Sequence, residues 1–173
     1  MFRKSLAAGC LLATGCGPGP PGRLQQRVAT TTAVVARVVD GDTLILRGQG
    51  RVRLIGVDAP ETWRRHDCFG TEAKRALRRL TPPGGAVRVA GDVRPRDRYG
   101  RLLLYVWTPR GVFVNAALVR AGFARALAVP PDTGRAAVLR DAEEAARRGH
   151  AGMWRPAPAG CVTGGRAART NVG

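Results

Sequence analysis

Histidine, lysine and cysteine are scarce in this sequence of 173 residues, and each scarcity narrows the chemistry that the chain can perform. His66 and His150 are the two histidines, and their separation lacks ligand spacing, which argues against a histidine-based hydrolytic site. The four cysteines form no Cys-x-x-Cys pair, which disfavours a zinc cluster or a redox motif. No P-loop or Rossmann glycine pattern occurs, and there are no internal repeats.

Because lysine is scarce, the positive charge of the chain is carried by arginine. Lysine and arginine together number 29 against 12 acidic residues, and Lys4 and Lys74 are the two lysines. The resulting net charge of +17 indicates a polyanionic partner, with nucleic acid as the first candidate. An arginine-rich coding bias would explain the same composition, so charge alone does not decide between the two readings.

The first residues have the pattern of a secretory signal. Arg3 and Lys4 precede a short apolar core at residues 6–13, and small residues follow up to Cys16. The sequence Ala-Thr-Gly-Cys that ends at Cys16 resembles a bacterial lipobox. We therefore expect residues 1–15 to be a signal peptide, Cys16 to carry a lipid that anchors the protein to a membrane, and the protein to be exported. No other stretch is long and apolar enough to span a membrane.

Export would leave an even pair of cysteines. Cleavage before Cys16 removes Cys10, and lipidation occupies Cys16, so that Cys68 and Cys161 remain. In an oxidising compartment such a pair predicts a disulfide bond. Two unrelated thiols are the alternative.

Hydrophobic periodicity predicts one domain over residues 30–156, with a Gly/Pro-rich tether at residues 16–29 and a disordered basic tail at residues 157–173. The pattern predicts five strands and three helices in an α+β, mainly β, barrel. The predicted strands are residues 30–39, 43–46, 52–57, 86–93 and 101–108, and the predicted helices are residues 71–80, 115–121 and 134–148.

The hairpin around residues 48–50 is the most informative stretch. Two closely spaced glycines predict a tight connection, which places Asp42 at the start of one strand near Asp58 at the end of the next. Facing carboxylates repel unless one is protonated or a cation lies between them. Asp40 and Glu61 lie just outside the same end, so the acids indicate a hard divalent cation. Asp-Gly-Asp could equally be a simple turn.

Four motifs follow one another in a fixed order: Asp-Gly-Asp-Thr from Asp40, Arg-Leu-Ile-Gly-Val-Asp-Ala-Pro-Glu from Arg53, Asp-Arg-Tyr-Gly-Arg from Asp97, and Asn-Ala-Ala-Leu-Val-Arg-Ala-Gly from Asn115. Together they resemble the staphylococcal nuclease (thermonuclease) family over residues 34–154. The resemblance implies a five-stranded OB-fold β-barrel with three helices. It also implies a Ca²⁺-dependent phosphodiesterase that hydrolyses DNA and RNA with little base specificity and leaves 3′-phosphates.

The resemblance assigns the metal site by position. It implies that the carboxylates of Asp42 and Asp58 and the backbone carbonyl of Ala59 hold Ca²⁺, with Asp40 in support. Threonine is common in the family where Ala59 stands, but a backbone carbonyl is unaffected by that change.

The resemblance also assigns the reacting groups. It implies that Arg53 and Arg101 bind the phosphate and that Glu61 positions or deprotonates water. Arg98 and Tyr99 are implied in substrate binding. We expect no obligate protein partner, and therefore a monomer.

One departure from the family affects substrate binding. Residues 126–131 contain no aromatic side chain where the family carries tyrosines that pack on the nucleotide. We expect Ala128 to lie beside the substrate, and arginine contacts to phosphate to supply more of the affinity.

Two other functions remain open on the sequence alone. The chain could be a catalytically inactive OB-type module that binds nucleic acid at the cell surface, or a module for another anionic cell-envelope polymer. Binding needs a basic groove and no acids, whereas Asp42, Asp58 and Glu61 stand among the arginines. The acids therefore favour the enzyme.

Overall fold

Five strands close into a barrel in the computed structural model, which describes residues 30–61 and 69–156. The strand order around the barrel is β1-β2-β3-β6-β5. Neighbouring strands are antiparallel except β3 and β6, which are parallel, and β5 pairs back onto β1. The strands are β1 (Thr31–Val38), β2 (Thr43–Leu46), β3 (Gly50–Leu54), β4 (Val57–Asp58), β5 (Ala86–Ala90), β6 (Leu102–Trp107) and β7 (Arg125–Ala126).

Three α-helices cover the barrel. They are α1 (Gly70–Leu80), α2 (Val114–Arg120) and α3 (Ala136–Arg148). The first two, α1 and α2, pack on the barrel strands, and α3 packs on α2 and β7. In α3 the buried residues Leu139, Ala142 and Ala146 recur at the spacing of one helix face. Within the described ranges, no helix is long and apolar enough to cross a membrane.

The predicted third strand is wrong in its extent, because it breaks at Gly56. β3 ends at Leu54, and β4 belongs to a separate two-stranded sheet with β7. Gly56 has a φ of +73°, a conformation that favours glycine, and the Leu139 side chain occupies the space where a β-carbon would lie. The bend at Gly56 therefore redirects the chain and carries Asp58 away from the barrel ladder.

A buried amide fixes this bend to the barrel. Asn115, at the start of α2, donates from Nδ2 to the carbonyl of Ile55 at 2.9 Å. Its Oδ1 accepts the backbone N–H of Val106 in β6 at 3.0 Å. Since Asn115 is fully buried, these contacts satisfy two backbone groups that would otherwise be buried without partners.

The predicted fold class is confirmed: the chain is an α+β protein with a five-stranded OB-fold barrel and three helices. Four predictions fall on residues outside the described ranges: the signal peptide, the tether with Cys16, the pairing of Cys68 with Cys161, and the basic tail.

Candidate functional site

An open cleft of about 1090 Å³ gathers most of the predicted site residues. Its acidic lining comes from the β1–β2 connection, from β4 and from the chain just after β4. Its basic lining comes from β3 and from the segment before β6. The acids are Asp40, Asp42, Asp58 and Glu61, and the arginines are Arg51, Arg53, Arg96 and Arg101.

Asp42 lies at the floor of the cleft. Its Oδ1 accepts a hydrogen bond from the Thr43 hydroxyl at 2.9 Å, and its Oδ2 accepts the backbone N–H of Ala59 at 3.1 Å. Burial raises the pKa of Asp42 to about 6 from the ordinary value of 3.8; the Arg53 charge opposes that rise, and the nearby Asp40 adds to it. A carboxylate in this position is best stabilised by positive charge.

Arg53 supplies part of that positive charge. It pairs across the hairpin with Thr43, so its guanidinium reaches the carboxylate of Asp42 and forms an ion pair with it. Its Nη2 also lies 3.4 Å from Oδ1 of Asp58. The two acids thus contact one positive group, and that group is the guanidinium of Arg53.

Glycine at position 41 allows the two acidic segments to meet. A β-carbon on Gly41 would lie 2.6 Å from the β-carbons of both Ala59 and Ala73. The Asp40–Asp42 turn therefore packs directly against the chain after β4 and against α1. Asp40 supports this turn, since its Oδ1 accepts the backbone N–H of Asp42 at 3.2 Å.

The residues fit a hard cation by ligand type. Asp42, Asp58 and the carbonyl of Ala59 offer only oxygen atoms, which is the ligand set that Ca²⁺ prefers. In residues 30–61 and 69–156, no three His, Cys, Asp or Glu side chains are grouped closely enough to hold a metal ion. A calcium site here would therefore depend on two carboxylates, on backbone carbonyls and on water.

Glu61 lies at the rim of the cleft, on the exposed side of the acids. Its carbonyl oxygen packs closely on Gly70, the first residue of α1, where a β-carbon would lie 2.9 Å from that oxygen. Glu61 is exposed, so its carboxylate is open to solvent water.

Arg101 is held by Asp97, which the sequence analysis did not single out. Asp97 Oδ2 accepts Nε of Arg101 at 2.7 Å, and Oδ1 accepts the backbone N–H groups of Tyr99 and Arg101 at 2.9 and 3.0 Å. Burial acts to raise the pKa of Asp97, but the hydrogen bonds from Arg101 and Tyr99 outweigh it and hold that pKa below its ordinary value. The Asp-x-x-x-Arg spacing inside the third motif was the available signal.

Tyr99 and Arg98 lie at the outer edge of this turn. Tyr99 lines the cleft and is 67% exposed. The guanidinium carbons of Arg98 and Arg101 lie 4.8 and 5.5 Å from its ring centre. The ring is therefore accessible to a ligand and flanked by positive charge.

The structure corrects the expectation for Ala128. The backbone N–H of Leu127 donates to the Gly56 carbonyl at 3.0 Å, so this segment follows β4 toward α3. Ala128 lines a separate cavity of about 220 Å³ together with Tyr105 and Leu139, and it is not part of the lining of the acidic cleft.

Fold and cleft together define the class: an α+β protein whose OB-fold barrel carries acids and arginines in one open groove. The family described as Staphylococcal nuclease homologue matches residues 51–156. The chain belongs to this family, which confirms the resemblance seen in the sequence.

Three relatives illustrate the similarity. A thermonuclease of Staphylococcus intermedius is 36% identical over 145 residues, which cover 80% of this chain and 84% of the relative. A thermonuclease of Staphylococcus hyicus is 36% identical over 130 residues, covering 71% and 75%. Endonuclease YhcR of Bacillus subtilis (strain 168) is 39% identical over 103 residues, 53% of this chain but 8% of that protein.

Proposed function

We propose that this protein is a Ca²⁺-dependent nuclease that hydrolyses phosphodiester bonds in DNA and RNA with little base specificity. The observation that carries the proposal is the contact of Asp42 and Asp58 with one arginine, in a cleft that also contains Glu61 and Arg101. The relatives named thermonuclease and endonuclease support it.

Arg53 and Arg101 would bind the phosphate group whose ester bond is cleaved. Nη1 of Arg53 is buried against Asp42, whereas Nη2, which contacts Asp58 at 3.4 Å, keeps a second N–H that could donate to a phosphate oxygen. Asp97 accepts Nε of Arg101, so the two Nη groups can donate as a fork. Negative charge that builds on the equatorial oxygens during in-line attack is stabilised by these donors.

Glu61 would direct the attacking water. A carboxylate can accept the water proton as the new oxygen–phosphorus bond forms. The P–O5′ bond then breaks, and the leaving 5′ oxygen takes up a proton, so the products are a 3′-phosphate and a 5′-hydroxyl. A Ca²⁺ ion held by Asp42, Asp58 and the Ala59 carbonyl would neutralise phosphate charge.

The test is the cleavage of DNA and RNA by the full chain, with Ca²⁺ or with an excess of chelator. We expect cleavage of both polymers only in Ca²⁺, with 3′-phosphate ends detected by mass spectrometry. Cleavage that persists in chelator, or products with 5′-phosphates, would contradict the mechanism. Tight binding of both polymers without cleavage in any divalent metal would favour the inactive binding module.

The proposal extends to export and lipid attachment at Cys16, supported by the charged start, apolar core and lipobox-like residues before it. In a bacterial host, the wild-type chain should lose residues 1–15 and fractionate with membranes, whereas Cys16→Ser should not. Wild-type protein that keeps its N-terminus would contradict this part.

A further inference from the structure

Two arginines of the cleft, Arg51 and Arg96, have no part in the mechanism above. Arg51 lies on β3 two residues before Arg53, and side chains two apart on a strand project from the same face. Arg96 lies in the segment before β6 and also lines the cleft. Both residues are exposed.

These two arginines flank Arg101 on neighbouring backbone segments. Val52 pairs with Leu102 in the parallel β3–β6 ladder, which sets the preceding residues Arg51 and Arg101 side by side. On the other side of β6, Arg96 forms a bridge with Leu102. Adjacent segments of this kind lie about 4.8 Å apart. Arg96 stands opposite Leu102, one residue beyond Arg101, and all three arginines line the same cleft. We call Arg51, Arg101 and Arg96 the arginine row.

Only the central member of the arginine row has an acidic partner among the described residues. Arg101 is paired with Asp97, whereas Nη1 of Arg96 donates to the neutral carbonyl of Gly100 at 2.7 Å. The structure gives Arg51 no acidic partner within residues 30–61 and 69–156. Like charges on adjacent segments repel, and an anion between them removes that cost.

The size of the cleft allows more than one phosphate. Its volume of about 1090 Å³ lies slightly above the ~300–1,000 Å³ range that is typical of small-molecule pockets. Arg53 and the acids line the cleft together with the arginine row, whose members lie across β3 and the segment before β6.

We infer that Arg51 and Arg96, on either side of Arg101, form a subsite for the phosphates that flank the cleaved bond of a single nucleic-acid strand. The inference rests on the proposed nuclease function, since it extends the same cleft. The two residues would raise the affinity for strands long enough to reach them, through charge-assisted contacts to the phosphate backbone.

The test measures binding and needs no catalysis. A fluorescent single-stranded oligonucleotide of about 12 nucleotides, within the span of one OB fold, is titrated with the full chain in chelator over a range of salt concentrations. The variants are Arg51→Gln/Arg96→Gln and, as control with the same charge change, Arg78→Gln/Arg79→Gln in the last turn of α1. Circular dichroism verifies that each variant is folded.

The cleft variant should bind about tenfold more weakly or worse at low salt, since two charged hydrogen-bond donors are lost. Its slope of log affinity against log salt should fall by about 1.4, because each phosphate contact on a single strand contributes about 0.7. The variant Arg51→Lys/Arg96→Lys should keep the wild-type slope, because lysine also neutralises phosphate.

Equal slopes for the cleft variant and the α1 control would overturn the inference, as would a lysine variant that loses as much slope as the glutamine variant. A wild-type protein that does not cleave nucleic acid in Ca²⁺ would be a different result. It would remove the nuclease function, while the binding series in chelator would still decide whether the subsite exists.

Discussion

Single side chains set the chemistry of the cleft through their charge partners. Arg53 is shared between Asp42 and Asp58, and Asp97 holds Arg101, so each of the two arginines that we propose to bind phosphate is oriented by an acid. Arginines positioned in this way would lose little freedom if a phosphate bound. The same pairing gives the acids of the cleft a structural role beside the arginines.

Glu61→Gln should lower kcat by about 10²–10⁴-fold with little change in KM, because it removes a group that acts on water. The measurement is steady-state cleavage of a DNA oligonucleotide in Ca²⁺. Glu72→Gln, an exposed position in the first turn of α1 away from the cleft, is the control and should match the wild type. A Glu61→Gln enzyme within about twofold of wild type would remove this role.

Asp97→Asn should reduce kcat by about tenfold or more, because a misplaced Arg101 no longer meets the phosphate in the transition state. Arg101→Lys should be as severe, since an ammonium group cannot reproduce the fork. Steady-state kinetics measure both. A normal kcat in Asp97→Asn would show that Arg101 needs no such support.

The same carboxyl should also leave a signature in stability against pH. Because the folded-state pKa of Asp97 lies below the ordinary value of 3.8, its stabilising effect is complete above that value. The effect is lost as pH falls through the folded-state pKa. The free energy of urea unfolding should therefore fall more over this acid range in the wild type than in Asp97→Asn. Parallel curves of unfolding free energy against pH would contradict the assignment.

Strands and helices place these side chains through two connections that local patterns do not reveal. The bend at Gly56 moves Asp58 off the barrel, and Asn115 ties the residue before the bend to β6. The two acidic segments can then meet the arginines of β3 and of the segment before β6 in one cleft. The position of Asp58 therefore depends on α2 as well as on its own strand.

Asn115→Ala should lower the free energy of unfolding by about 2–5 kcal/mol, because it leaves the Ile55 carbonyl and the Val106 N–H buried without partners. Chemical denaturation measures the loss. Gln49→Ala, which removes an exposed amide from the hairpin turn, is the control and should change stability by less than about 0.5 kcal/mol. A small effect at Asn115 would show that water or backbone movement satisfies both groups.

The sequence predicted most element positions because hydrophobic periodicity follows burial closely. The first hairpin strand matched at residues 43–46, and α1 began one residue before its predicted start. The predicted strand at residues 86–93 ends at Ala90, where the chain leaves the ladder. Gly56 lies inside an apolar run, and a glycine at such a position could have indicated the bend.

Contacts between distant segments were beyond local patterns. Hairpin geometry indicated that Asp42 and Asp58 would lie near each other. The positive group that contacts both is Arg53, and carboxylate repulsion alone could not identify it. The parallel β3–β6 pair, which creates the arginine row, joins residues about fifty positions apart. Ala128 lies outside the lining of the acidic cleft because the strand before it, β7, pairs with β4.

The whole molecule combines a net charge of +17 with a cleft that contains its own acids. This charge should attract a polyanion over a distance set by the salt concentration, and in the proposed nuclease the acids would set where the strand is cleaved. Binding of nucleic acid should thus be salt-dependent over the whole surface, whereas cleavage depends on a few residues.

A Cys68–Cys161 disulfide should form in exported protein. It would close a loop of about 90 residues, and chain-entropy estimates give a stabilisation of ~4–5 kcal/mol as an upper figure. Non-reducing peptide mass spectrometry of exported material should show one linked pair, and Cys161→Ser should lower stability. Two free thiols in the exported wild type would contradict the prediction.

The rate at which Asp42→Ala cleaves single-stranded DNA in Ca²⁺ tests the central claim most directly. Removing the buried carboxylate should reduce the rate by about 100-fold or more, because it takes away a proposed Ca²⁺ ligand and a partner of Arg53. Asp141→Ala, an exposed carboxylate on α3 outside the cleft, should cleave like the wild type. A folded Asp42→Ala protein with a rate within about twofold of wild type would contradict the account.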